Sequence, residues 1–120
     1  MHINMDNSEY FTYKIDEYDY YVGKNQHSNH NLITSCERNE EDYWIHASNI
    51  SSPHGIIVNS NNEKLSLKQL KKACILMKVN NNKLKKINPL CFDITKLKHV
   101  ILTDTEGLVH IEKVIKKIRI

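Results

Sequence analysis

Polar and apolar residues alternate through much of the first half of the chain, and apolar residues recur at helical spacing near the middle. In YFTYKI (10–15), Phe11, Tyr13 and Ile15 share one side of an extended strand. After Asp16 and Glu17, YDYYVG (18–23) resumes the pattern, which predicts an opening hairpin. NQHSNHNLITS (25–35) has little β-branched density at its start and predicts a short helix beginning near Asn25. Acidic ERNEED (37–42) reads as a solvated connection into a strand at 42–47, DYWIHA. SNISSP (48–53) is loop, HGIIVN (54–59) the returning strand and SNNEK (60–64) a further loop. The clearest element is a helix over 66–79. Ser66 and Gln69 form a capping box, and Leu67, Leu70, Ala73, Cys74 and Met77 make the apolar stripe. Lys68, Lys71, Lys72 and Lys78 are then expected on its surface, with NNN (80–82) ending it. A basic link KLKK (83–86) leads to three strand-like runs, 90–95, 98–103 and 108–119, the last of them bent and the last two joined by TDTEG. The expected fold is a single compact α+β domain over 1–120, with a mostly antiparallel sheet, one main amphipathic helix and a shorter one.

Composition narrows this only a little. At 120 residues, 40% hydrophobic and 26% charged, the chain has the make-up of one globular domain with one core. No apolar run approaches the roughly 18 residues of a membrane span, and no signal-peptide core opens the chain. Both point to a cytoplasmic protein with no membrane association. Cys36, Cys74 and Cys91 are odd in number and lack C-x-x-C spacing, which speaks against a disulfide framework or a structural zinc site. Cys74 reads as a small buried hydrophobe. Charge is more informative. Residues 1–60 carry three basic and nine acidic side chains, −6, and residues 61–120 carry fourteen and five, +9, which sum to the net +3. A segment this basic attracts polyanions, although a solvated Lys-rich surface accounts for the same count.

The candidate chemistry gathers in DYWIHASNISSPH (42–54). Side chains alternate along a strand, so Asp42, Trp44 and His46 share a face, and hairpin pairing would bring His54 close to His46. Four readings remain open. A His–Asp pair can do acid–base work, but no activated nucleophile accompanies it. Two His and an Asp could ligate a metal, but without the spacing of helical ligands. The rings could be a packed corner satisfying loop groups. Or they could meet RNA bases while nearby cations hold phosphates. A second cluster, GKNQHSNHNLI (23–33), sets Lys24 on a strand-to-helix turn where Asn25 can act as cap, a geometry suited to an anion.

These clusters in order, YYVGKNQHSNHNLI, DYWIHASNISSPHGIIV, SLKQLKKACIL and a closing GLVHIEKV, resemble the NFACT-R domain family from about residue 10 to 119. Gly23, Lys24, Asn25 and Asn29 match its V-G-[KR]-N-x-x-x-N-x-x-L pattern. Asp42, Trp44 and His46 match D-x-W-x-H, and His54 matches the His ahead of the following strand. Ser52-Pro53-His54-Gly55 departs from the family's usual Gly-Ser-His-Val. The NFACT-N, helix-hairpin-helix and coiled-coil parts of full-length members are not found here, so full quality-control activity is not inherited. The resemblance implies a non-catalytic RNA-binding module, without cofactor or metal, acting in translation or ribosome quality control. Its expected partner is structured RNA, tRNA or rRNA, in the setting of the large ribosomal subunit.

The residues expected to carry RNA binding are Lys24, Asn25, Asn29, Trp44, His46, His54, Lys68, Lys71, Lys72, Lys85 and Lys86, grouped on one shared surface. Asp42 is expected to orient a His or cap a backbone amide. The alternative function is a protein-interaction adaptor docking on a ribosomal or RNA-modifying partner, and a third is an RNA-modifying enzyme using Asp42 and the two His.

Overall fold

The computed structural model describes residues 9–35 and 38–120. Cys36 lies outside them. Strands β1 (Tyr10–Ile15), β2 (Tyr18–Gly23), β3 (Tyr43–Ala47), β4 (Gly55–Ile57), β5 (Cys91–Lys96) and β8 (Lys116–Arg119) form a six-stranded sheet in the order β1-β2-β4-β3-β5-β8. Every neighbouring pair in it is antiparallel. Strands β6 (Val100–Leu102) and β7 (Val109–Ile111) make a separate two-stranded ribbon. The fold is thus the compact α+β domain expected from the sequence.

Helices α1 (Gln26–Thr34) and α2 (Leu67–Val79) pack on opposite faces of the sheet. Alternation along the strands dictates this. Ile45, Ile57, Phe92 and Ile94 face Leu70, Ala73, Cys74 and Met77 of α2. Their neighbours Trp44 and Ile56 face Leu32 and Ile33 of α1. Gly55 lies on the α2 side with no room for a side chain, since a Cβ there would come within 2.9 Å of both Met77 and Tyr20. Burial raises the Cys74 thiol to about 12, as suits a packed hydrophobe.

Both helix starts follow the sequence signals. Ser66 and Gln69 cap α2 reciprocally, and Asn25 and Ser28 do the same for α1. Lys78, by contrast, is buried rather than on the surface. Its stem lies within the core layer, and its ammonium donates to Asn88 Oδ1 at 2.5 Å and the Ile120 carbonyl at 3.0 Å. The basic link also folds, as a 3₁₀ turn at Leu84–Lys86 that buries Leu84. The final run, expected as a bent strand over 108–119, breaks instead into β7 and β8 and divides between two sheets. Glu112 N–H still bonds the ribbon side at His99 O, while Ile115 N–H reaches Ile94 O and delivers β8 to the main sheet. The run expected at 98–103 shortens to β6, preceded by a 3₁₀ turn at Leu97–His99.

Candidate nucleic-acid interface

The turn from β2 into α1 is built by three residues of the first motif. Asn25 Oδ1 accepts from Ser28 N–H at 2.9 Å. Ser28 Oγ accepts in return from the amides of Lys24 (2.8 Å) and Asn25 (2.9 Å). One turn on, Asn29 Oδ1 accepts from His54 N–H at 3.1 Å, and Gly23 N–H donates to His54 O at 3.0 Å. Gly23 is required by space, since a Cβ there would stand 2.0 Å from Asn29 Oδ1. The motif is therefore first an architectural latch that ties α1 to β4. Asn25 and Asn29 spend their side chains on the protein itself. Lys24 is left exposed at the turn, its ammonium 4.7 Å from the centre of the Phe11 ring.

The second motif builds a cluster of three rings. Trp44 and His46 stack with centroids 5.4 Å apart and planes 6° from parallel. His54 stands edge-on to both, at 5.4 Å from Trp44 and 5.0 Å from His46. Trp44 Nε1–H donates to His54 Nδ1 at 3.2 Å, which places the His54 proton on Nε2 and requires a neutral ring. Burial, reinforced by the neighbouring His46, pushes the His54 pKa down to about 3, with the Gly107 backbone opposing. Burial likewise lowers that of His46, whose Nδ1–H donates to Ala47 O at 2.6 Å. The neutral His46 ring therefore carries an acceptor lone pair on Nε2.

Depth separates these rings. Trp44 is 2% exposed and His54 3%, whereas His46 is only half-buried. An indole this deep cannot stack on an incoming base, so Trp44 backs His46 rather than contacting a ligand. Asp42 is fully buried at the other end of β3, where Asn59 N–H donates to Oδ1 (2.7 Å) and Asn39 N–H to Oδ2 (3.2 Å). It caps backbone amides, and its hydrogen bonds go to them rather than to the imidazoles. Burial raises its pKa against those bonds. Among the described residues no group of three His, Cys, Asp or Glu side chains is placed to hold a metal ion.

His46 lies in a groove of about 780 Å³ between α1, the β3–β4 loop and the β6–β7 turn. Lys24 lines one part of it and Lys83 another, and the Lys83 ammonium bonds Ser51 O at 3.0 Å. The β6–β7 turn adds Glu106. Its carbonyl accepts from Gln26 Nε2, and its carboxylate lies 3.1 Å from His27 Nδ1. Gly107 sits there at φ 78°, where a Cβ would also press on Gln26. The sequence reading missed this turn as part of the groove, and it included Lys83 only among the lysines of 64–86 and not by name. Lys83 was visible only as one letter of a basic link, and the turn reaches α1 from about 80 residues away.

The lysines of α2 do not share this surface. Lys68, Lys71 and Lys72 are exposed on the helix that covers the opposite face of the sheet. The expected single patch is corrected here, because the sheet lies between its two halves. Lys85 and Lys86 are exposed on the 3₁₀ turn just beyond Lys83.

Comparison with known proteins places this geometry. No curated protein matches the chain. A solved structure, the C-terminal part of the fibronectin/fibrinogen-binding protein from Streptococcus suis, superimposes with a TM-score of 0.74 at 22% identity. The match covers 92% of this chain and 43% of that one, so the chain spans less than half its length, and at that identity the likeness concerns the fold. The family model for the NFACT protein RNA binding domain matches residues 8–111. That span takes in both motifs, the groove and the ribbon, and the chain belongs to this RNA-binding domain family.

Proposed function

We infer that the groove around His46 is where this domain holds RNA, and that its natural ligand is structured RNA such as tRNA or rRNA, bound without chemistry in a cytoplasmic translation or ribosome-quality-control setting. The observation that carries this reading is the pairing of a half-buried, neutral imidazole on a rigid indole backing with two lysines in one open groove. Lys24 and Lys83 supply charge for phosphates, which sets position, and the exposed part of His46 offers a ring for an unstacked base. Asn25, Asn29, Trp44 and His54 hold those three in place.

Filter binding of the purified protein to tRNA over a salt series tests the reading. The expected result is affinity that falls linearly with salt on logarithmic axes, by roughly 0.7–0.9 in slope for each phosphate contact. His46→Ala should weaken binding by about tenfold, the value of one base–aromatic stack. A folded sample that binds no RNA at low salt would rule it out. The adaptor reading draws on one feature, the apolar Ile101, Leu102 and Leu108 that the ribbon exposes. Recovery of a ribosomal or RNA-modifying protein partner that survives nuclease treatment would favour it.

A further inference from the structure

Lysines differ in their partners in this molecule. Lys14, Lys96, Lys98 and Lys117 each pair with a carboxylate, at distances from 2.5 to 3.0 Å. Lys64, Lys68, Lys71 and Lys72 are all exposed and make no ion pair with a described residue. Three of these stand on the outer side of α2, away from the buried Leu70, Ala73, Cys74 and Met77. Lys68 has Lys71 and Lys72 at i+3 and i+4, where like charges repel and destabilise a helix. The first turn of α2 carries no acidic residue, so Lys68 also stands uncompensated at the positive end of the helix. The α2 amides take no part, because the end is closed by its own Ser66–Gln69 box. The cluster is thus set against the electrostatic preferences of the helix that carries it.

We propose that the outer face of α2 is a second binding surface for an RNA phosphate backbone, separate from the groove, so that the domain bridges two segments of one folded RNA. Lys68 to Lys72 covers about 6 Å of helix axis, along which a nucleic-acid strand presents about two phosphates. Exposed Ile75 and Val79 bound the row toward the C-terminal end of α2, and exposed Lys64 lies in the loop that enters the helix. Lys68 lies about 16 Å along the axis from the end of α2 nearest the groove. The sheet intervenes in a body measuring 39 × 32 × 29 Å. The axial separation exceeds the Debye length of about 8 Å at physiological salt, so the two surfaces act as distinct fields.

The proposal goes beyond the groove reading and can fail or stand separately from it. Two probes, a single-stranded RNA of about six nucleotides and a tRNA, are titrated against the intact protein and its K68Q/K71Q/K72Q variant, both checked for folding by circular dichroism. The expected result is that the variant loses about tenfold in tRNA affinity and about 1.5–2 in salt slope, while affinity for the short RNA stays within about twofold. Unchanged tRNA affinity and slope in the variant would overturn the proposal. So would a parallel loss for both probes, which would mean one continuous surface. Binding of a poly-glutamate peptide to α2 with tRNA affinity unchanged would assign the face to an acidic protein and overturn it too. If the short RNA never binds but tRNA binding still depends on the three lysines, the groove reading falls and the second surface stands.

Discussion

The two faces of the sheet are made of the same strands and do different work. Toward α2, Ile45, Phe92 and Ile94 meet an apolar helix stripe, and among the buried side-chain bonds there is the Tyr20 hydroxyl donating to Ala73 O at 2.9 Å. Toward α1, the apolar cluster is small, and burial is shared with an indole, two imidazoles and an asparagine tied together by directional bonds. Packing on the first face supplies stability, since apolar burial is strong and non-directional. Bonding on the second fixes the shape of a groove, because buried polar groups tolerate few arrangements. Truncating Phe92 to Ala should therefore be the costliest change, about 3–5 kcal/mol by urea denaturation, with RNA affinity of the folded fraction unaltered. A loss below about 1 kcal/mol would mean that the α2 face is not the main store of stability.

The second face should reveal itself through pH. His54 is held neutral with a pKa near 3, far below its value of about 6.5 in an unfolded chain. Between those limits the unfolded chain binds the extra proton, so stability is fully present above about pH 6.5 and declines as pH falls toward 3. Between pH 6.5 and 4 this shift corresponds to an effect on the order of 3–4 kcal/mol. The raised pKa of Asp42 has the opposite sign: it favours the folded form at low pH and gives that up as pH rises through its folded value. The His54 shift is the larger and sets the net slope between pH 6.5 and 4. Denaturation midpoints measured across that range should fall with acidity in the wild type and much less in His54→Asn. Equal slopes would place the acid sensitivity elsewhere.

The latch between α1 and β4 gives a smaller and more local effect. Gly23→Ala puts a methyl carbon into the position of the Asn29 amide and breaks its bond to His54 N–H, at a cost of about 2 kcal/mol. Asn29→Ala alone leaves that buried N–H unsatisfied, costing about 1–3 kcal/mol. Because the clash is with the Asn29 side chain, the double variant should cost much less than the sum. Additive losses would show that Gly23 serves something other than this contact.

Much of the scaffold was legible because its signals are local. Hairpin alternation at 10–23, the Ser66–Gln69 box and the α2 stripe each lie within a few residues of what they determine. Alternation also assigned Trp44 and His46 to one face, but a period of two reports side and not depth. Only the packing of α1 and the ribbon distinguishes a 2%-exposed indole from a half-buried imidazole. The sum of lysines was read correctly as a number and wrongly as a place. Charge along a chain carries no information on which side of a sheet a helix will land. Lys78 misled for a related reason: its acceptors, Asn88 and the Ile120 carbonyl, lie 10 and 42 residues away. The 108–119 run has apolar residues enough for one long strand, and the choice between two sheets is made by partners at His99 and Ile94.

Glu106 offers the mildest test of how the groove face is assembled. Its carboxylate is half exposed, and its pairing with His27 at 3.1 Å joins two solvent-facing groups, so the contact contributes little to stability. The same carboxylate is a negative charge in the groove that also holds Lys24 and Lys83. Glu106→Gln keeps the size of the side chain and the backbone bond to Gln26, and removes only that charge. Global stability should change by less than about 0.5 kcal/mol. RNA affinity at low salt should rise by roughly twofold and converge with wild type as salt is raised, since a rim charge acts through a screened field. An affinity that falls instead, with stability intact, would make Glu106 a group that RNA contacts directly, and the β6–β7 turn would then be part of the recognition surface rather than its wall.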